Sequence, residues 1–175
     1  MKVNFYFTTE KQWILDLIHS VEKRTGFKAQ ITENYNSVTW KPILGEGHLS
    51  FMEIEEGLAI FKADVLLRHE LRMVNEIVKS NDYFLILFSV SLEQAYFFNE
   101  EGEKVNVGKD FSKAIYYSTC GIGGGLIYAK DKKMRTVVVI VSRNWILRKI
   151  RFLNLTIKGE IPDYHKNGAF QKAFN

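Results

Sequence analysis

Cysteine and proline are scarce in this sequence. Its 175 residues include one cysteine, Cys120, and two prolines, Pro42 and Pro162. A single cysteine forms no internal disulfide and cannot build a cysteine-based zinc site. So few prolines exclude a proline-rich linker. A chain of this length with 46% hydrophobic residues can bury a sizeable core, and we expect a single domain.

Long apolar segments and a strong net charge are also absent. The densest apolar runs, residues 84–88 and 137–141, fall far short of the roughly 20 residues of a transmembrane helix. The first residues show no secretion signal, so we expect a cytoplasmic protein without a membrane partner. The 24 basic and 20 acidic residues leave a net charge of +4, which is too small for a dedicated nucleic-acid coat.

A helix is predicted over residues 10–24. Thr9 and Gln12 have the spacing of a capping box at its start, and Gly26 suits a left-handed stop at its end. Five apolar residues between these ends have the spacing of one helix face: Trp13, Ile14, Leu17, Ile18 and Val21. We expect this face to pack against the main body or against a partner subunit, with Trp13 and Leu17 in the contact.

From residue 27 onward the hydrophobic pattern has a period of two, which is typical of strands. It predicts strands over residues 47–54, 58–63, 65–73, 83–92, 111–120, 125–129 and 135–142. Ser142 then suits the N-cap of a second helix. About eight strands at regular spacing indicate a mainly β, antiparallel barrel or sandwich. We divide the chain into an N-terminal helix or arm (1–26), a β-barrel (27–142) and a helical segment with a polar tail (143–175).

No motif for catalysis or phosphate binding stands out. The glycine run at residues 121–125 lacks the last small residue of the dinucleotide fingerprint, because Leu126 occupies that position, and a strand follows it. No nucleophile elbow is present, and Cys120 has no evident base. The histidines lack metal-ligand spacing: His19, His48, His69 and His165. The sequence therefore predicts no catalytic residue, no metal and no cofactor.

Two polar residues lie among apolar neighbours in the predicted strands. His69 shares a face with Val65 and Met73, where it is either a hydrogen-bonded core residue or a polar contact in a ligand pocket. Glu53 shares a face with apolar residues of its own strand, although a one-residue register shift would place it in solvent. Tyr96 and Tyr116 lie in aromatic stretches without interleaved basic residues, which favours core or pocket packing over base stacking.

Two stretches of the chain resemble a known family. Residues 44–65, with Leu44-Gly45-Glu46-Gly47 before a strand, a glycine-leucine turn and a second strand, resemble the N-terminal sensor domain of AraC/XylS-type transcriptional regulators. Residues 135–147 resemble the last barrel strand and the Trp145-containing helix start of the same domains. The resemblance implies a cupin-like barrel that binds an effector, with flanking helices that form a homodimer. It also implies that DNA is read by a separate C-terminal domain, for which the 25 residues after Ile150 are too few.

Our leading hypothesis is therefore the effector-binding and dimerisation domain of an AraC-like regulator. Its effector is an unknown small molecule, and the candidate contacts are His69, Glu53, Tyr96 and Tyr116. One alternative is a stand-alone small cupin, either a metal-dependent enzyme with His48, His69 and a carboxylate as ligands, or a ligand-binding module. Another is an interaction module whose N-terminal helix docks on a partner.

Overall fold

The computed structural model describes residues 2–6, 8–26, 28–31, 37–40, 45–75, 83–89, 95–98, 102–107, 115–119, 124–153 and 172–173. Its two helices are α1 (Gln12–Thr25) and α2 (Arg143–Phe152). The strands, in chain order, are β1 (Lys2–Phe5), β2 (Gln30–Ile31), β3 (Ser37–Trp40), β4 (Gly45–Glu55), β5 (Leu58–Leu67), β6 (Leu71–Asn75), β7 (Tyr83–Ser89), β8 (Ala95–Phe98), β9 (Lys104–Val107), β10 (Ile115–Thr119), β11 (Gly125–Tyr128), β12 (Lys133–Ser142) and β13 (Lys172–Ala173).

The strands form two sheets. One has five strands in the order β1-β6-β11-β8-β9, and the other has eight in the order β13-β10-β7-β12-β5-β4-β3-β2. β1 runs parallel to β6, while the other paired strands are antiparallel. The prediction of a mainly β, antiparallel fold with a helix near each end is confirmed. None of the described helices is both long enough and apolar enough to cross a membrane.

The core lies between the sheets, where the strands present alternate residues. On β12, Met134, Thr136, Val138 and Ile140 are all buried, while the residues between them are more exposed. This is the period of two expected for a strand with one face on a core. Each fully buried aliphatic side chain contributes about 1.5–3 kcal/mol relative to leaving it in water.

Helix α1 packs into this core. Its buried residues are Trp13, Ile14, Leu17 and Ile18, the face that the spacing predicts. The Trp13 ring meets Phe51 of β4 and Phe61 of β5 edge-on, at centroid distances of 6.1 and 5.1 Å. The helix ends at Gly26, whose left-handed φ of 68° lets its N–H bond to the carbonyl of Glu22. The sequence allowed this face of α1 to pack on the main body or on a partner subunit. In the structure it packs on the sheets of its own chain.

Three local predictions are wrong. The capping box is absent, because the N-cap is Lys11 without a side-chain bond and it is the Thr8 hydroxyl that accepts from the N–H of Glu10. Residues 65–73 are not one strand: β5 ends at Leu67 and β6 begins at Leu71. The break is required because β5 and β6 belong to different sheets. The described residues also form thirteen strands rather than about eight, since short strands near both ends of the chain (β1, β2, β3 and β13) and two between β7 and β10 (β8 and β9) join the sheets.

Candidate ligand cavity and its link to helix α2

A small cavity lies between α1 and the two sheets. Its volume is about 50 Å³. Leu17, Ile18 and Val21 of α1 cover it from one side. The walls come from the sheets and are mostly apolar: Leu49, Phe61, Val65, Leu67, Leu71 and Met73. Ligand pockets usually measure about 300–1,000 Å³, so this cavity holds a few atoms unless α1 moves.

One polar pair lies beside the cavity. The hydroxyl of Tyr128, on β11, shares a hydrogen bond of 3.2 Å with the hydroxyl of Thr136, on β12. Because β11 and β12 belong to different sheets, this bond ties the sheets together through the core. Burial raises the pKa of Tyr128 to about 12, and the bond from Thr136 opposes part of that rise. The phenol therefore stays neutral and can offer a ligand a hydroxyl but not a charge.

The rim of the cavity is polar. His69 lies in the bend between β5 and β6, where it is exposed and lines the cavity. Glu22, on the last turn of α1, also lines it and accepts a 2.8 Å hydrogen bond from the N–H of Ala29. Lys28 Nζ lies 3.9 Å from the same carboxylate. Glu22 therefore holds residues 28 and 29 beside the cavity.

The predicted contact residues have different positions. His69 is at the cavity, but at its exposed rim rather than on an inner strand face, so its placement within a strand is wrong. Glu53 is exposed near the end of β4, just before a β-bulge, and does not line the cavity. Of the two positions that the sequence allowed for Glu53, an apolar strand face or solvent, the structure shows the one in solvent. Tyr96 lies on β8 and Tyr116 on β10, in different sheets. A role for any of the four in ligand binding stays a prediction.

The metal site of the enzyme alternative is not assembled. His48 is exposed on β4 beside the buried Leu49, which puts it on the outer face of the sheet, opposite His69 at the cavity. Within the described ranges, no three His, Cys, Asp or Glu residues are grouped closely enough to hold a metal ion. Cys120, His165 and the glycines at 121–123 lie outside the described residues.

The turn between β4 and β5 is bound to helix α2. Glu55 accepts a 2.8 Å hydrogen bond from Trp145 Nε1, and Lys149 Nζ lies 2.8 Å from the same carboxylate. Arg148 binds Glu56 through both its carboxylate, at 2.8 Å, and its backbone carbonyl. The hydrogen bond from Lys149, followed by the one from Trp145, lowers the pKa of Glu55. We call these five residues the turn–α2 junction.

Backbone geometry completes this junction. Gly57 has a φ of 88°, and its carbonyl accepts a 2.8 Å hydrogen bond from the N–H of Ser142. A Cβ on Gly57 would collide with Ser142 Oγ and lie 3.0 Å from Trp145 Cβ. Ser142 is the N-cap of α2, as predicted, and its hydroxyl accepts from the N–H of Trp145 at 3.1 Å. The start of α2 therefore fits against the turn only because residue 57 has no side chain.

Sequence reasoning missed the Tyr128–Thr136 pair and the turn–α2 junction. Tyr128 and Thr136 both lie in predicted strands, but no sequence signal shows that their side chains meet across the core. The junction had a clearer signal. Two acidic residues at a turn and a helix with four basic residues and no acidic ones are complementary, although they are about 90 positions apart.

No family model and no curated protein matches this sequence. Solved structures with a similar fold include an RmlC-like cupin protein from Desulfovibrio desulfuricans, at 13% identity and a TM-score of 0.42, covering 53% of this chain and 79% of that one. The EutQ protein of Clostridium difficile is 12% identical with a TM-score of 0.36, covering 67% and 78%. A Bacillus subtilis oxalate decarboxylase variant is 12% identical with a TM-score of 0.35, covering 63% and 33%. At these values the likenesses transfer no activity or ligand to this chain.

Proposed function

We propose that this chain is a ligand-sensing regulatory module, the kind of role that AraC/XylS-type sensor domains perform. A small, largely apolar effector enters the cavity under α1 and alters the position of α2. One observation carries the proposal: the β4–β5 hairpin that walls the cavity also holds α2 at its turn.

The size of the cavity makes α1 the part that moves. A volume of about 50 Å³ accommodates three to five water-sized spheres, at about 10–15 Å³ each. A larger effector must push Leu17 and Ile18 outward, and with them the helix that bears them. Trp13 of the same helix packs on Phe51 and Phe61. A displacement of α1 therefore also shifts the β4–β5 hairpin that bears these two rings.

The hairpin carries the change to α2. Leu49 on β4 and Val65 on β5 line the cavity, and the two strands meet at the turn that binds α2 through Glu55 and Glu56. If the hairpin has two positions, an effector that binds one of them more tightly increases the population of that position and of the α2 position that goes with it. The size of the shift is set by the difference between the effector's affinities for the two positions.

Helix α2 is the output surface in this proposal. Phe152 is 81% exposed and Leu153 is 56% exposed, next to basic residues of the helix. We expect two copies of the chain to pair through this end of α2, and DNA to be bound by a separate domain. Sedimentation equilibrium tests the pairing: Phe152→Glu should convert a dimer to a monomer, whereas a wild-type monomer contradicts it.

Indole is a suitable apolar probe for the cavity. Val65→Phe fills the cavity, and Ile60→Phe adds a ring on the opposite face of the same strand as a control. We expect indole to raise the melting temperature of the wild type and of Ile60→Phe but not of Val65→Phe. Hydrogen exchange should then show altered protection in both α1 and α2. Binding that changes α1 alone would leave a ligand-binding module without signal transmission and would overturn the proposal, as would an absence of binding.

A further inference from the structure

A second, larger opening lies on the other side of α1, where the helix passes β1. Its volume is about 570 Å³, within the range of about 300–1,000 Å³ typical of small-molecule sites. Asn4 and Tyr6 line it from the β1 side, and Trp13 and Leu17, both almost fully buried, border it from α1. We call this opening the α1–β1 cleft. It is separate from the cavity under α1, although Leu17 borders both.

Opposite charges lie at the two ends of the cleft. Asp16, Ser20 and Lys23 line it from one stripe of α1, because residues four and seven apart share a helix face. With a rise of about 1.5 Å per residue, Asp16 and Lys23 are about 10 Å apart along the axis. Arg24 adds a second cation next to Lys23. The cleft is therefore anionic toward the start of α1, cationic toward its end and polar at Ser20 between them.

The anionic end is held in place. Tyr6 donates a hydrogen bond from its hydroxyl to Asp16 Oδ2, and Gln12 Nε2 donates to Asp16 Oδ1, each at 2.9 Å. A carboxylate has about four acceptor positions, so each oxygen can take a further donor. An ammonium group supplies three donors and a positive charge, and it fits this end of the cleft.

The cationic end suits a carboxylate. Arg24 donates to the backbone carbonyl of Lys2, which places its guanidinium beside β1. Lys23 is exposed and forms no hydrogen bond or ion pair with any other residue in the described ranges. Two cations on consecutive residues attract a carboxylate by charge and by charge-assisted hydrogen bonds.

The strand beside the cleft favours an extended ligand. β1 ends the five-stranded sheet, so one of its edges has no neighbour among the described strands. Such edges bind extended peptides through main-chain hydrogen bonds. The Asn4 amide and the Ser20 hydroxyl, which both line the cleft, can bond to peptide groups between the two charged ends.

We propose that the α1–β1 cleft binds a short, extended peptide of about three residues with free ends. Its amino terminus meets Asp16 and its terminal carboxylate meets Lys23 and Arg24. Three extended residues span about 10–11 Å, which matches the separation of the charges.

Calorimetric titration of the whole chain with trialanine tests this proposal. N-acetyl-trialanine lacks the terminal charge that Asp16 recognises, and trialanine amide lacks the one that Lys23 and Arg24 recognise. We expect each blocked peptide to bind the wild type about tenfold or more weakly than trialanine, because each loses a charged hydrogen-bond partner. Trialanine should also bind more tightly than dialanine. Equal binding of free and blocked peptides, or no binding of trialanine at millimolar concentration, overturns the proposal.

Matched variants assign each end. In Asp16→Asn the acetylated and free peptides should bind equally, while amidation still weakens binding. In Lys23→Gln the penalty for amidation should shrink and that for acetylation should stay. Lys62→Gln, on the outer face of β5, is the control of equal charge change and should resemble the wild type. Circular dichroism confirms that each variant is folded. If amidation costs the same in Lys23→Gln as in Lys62→Gln, the assignment of the carboxylate to this end is wrong.

Discussion

Replacing Trp13 by alanine tests the packing of α1 directly. The side chain is 1% exposed and touches Phe51 and Phe61 edge-on. Truncating a buried tryptophan costs about 3–5 kcal/mol in lost transfer energy and residual cavity. Aromatic pairs add about 0.5–1.5 kcal/mol each beyond burial, so the loss should exceed the lower end of that range. We expect Trp13→Ala to lower the free energy of unfolding by about 4 kcal/mol.

Urea and thermal unfolding measure this loss. For a chain of this size, about 4 kcal/mol corresponds to a fall of about 8–16 °C in melting temperature. His19→Ala is the matched control, because His19 is exposed on the same helix and its truncation should stay within about 0.5 kcal/mol.

Measuring the stability loss of Trp13→Ala at several protein concentrations shows whether α1 packs on its own sheets or on a partner subunit. A helix packed on its own sheets gives a stability loss that is the same at every protein concentration. A loss below about 1 kcal/mol for Trp13→Ala, or one that grows on dilution, would refute the packing of α1 described above.

Four further predictions concern the turn and the core. Gly57→Ala should destabilise the protein more than Gly102→Ala in urea unfolding, because both have positive φ but only at Gly57 would the new Cβ collide with α2; equal effects would contradict the close fit. The contacts that lower the pKa of Glu55 stabilise the α2 attachment above pH 4.5, and this stabilisation should fade as pH falls below that value, which hydrogen exchange of α2 can follow; an attachment independent of pH would argue against the junction. Since the pKa of Tyr128 is raised from 10.0 to about 12, stability should fall between those pH values, and less so in Tyr128→Phe. At neutral pH, Tyr128→Phe should cost about 1–3 kcal/mol by leaving the Thr136 hydroxyl unpaired, and less when Thr136→Val is added; additive losses would show that the pair does not interact.

The sequence predicted the elements whose signal is local. The one-face spacing of Trp13, Ile14, Leu17 and Ile18 identified the buried face of α1, and period-two alternation found most of the strands in the core. Gly26 and Ser142 were correctly placed at helix ends, because a left-handed stop and a side-chain cap depend on residues within one turn. These local signals were enough to predict a mainly β, antiparallel fold with two helices.

Other features depend on contacts between distant residues. Alternation continues through Arg68, His69 and Glu70, yet the chain bends there because it passes from one sheet to the other. Strands of two to four residues, such as β1 and β2, are too short to show a period and exist because a partner strand is adjacent. The candidate site has the same limitation, since its cavity is the space left between α1 and four strands of two sheets, which no short stretch of sequence describes.

The pairing of β1 with β6 sets an order for folding during synthesis. Val3 aligns with Met73, so β1 leaves the ribosome about 70 residues before its only described partner strand. At about 5–20 residues per second, that interval is about 4–14 s. The apolar face of α1 also stays without its packing partners during this time, because Phe51 and Phe61 are synthesised after it. The nascent chain thus exposes the apolar residues of α1 until the strands that cover them have been made.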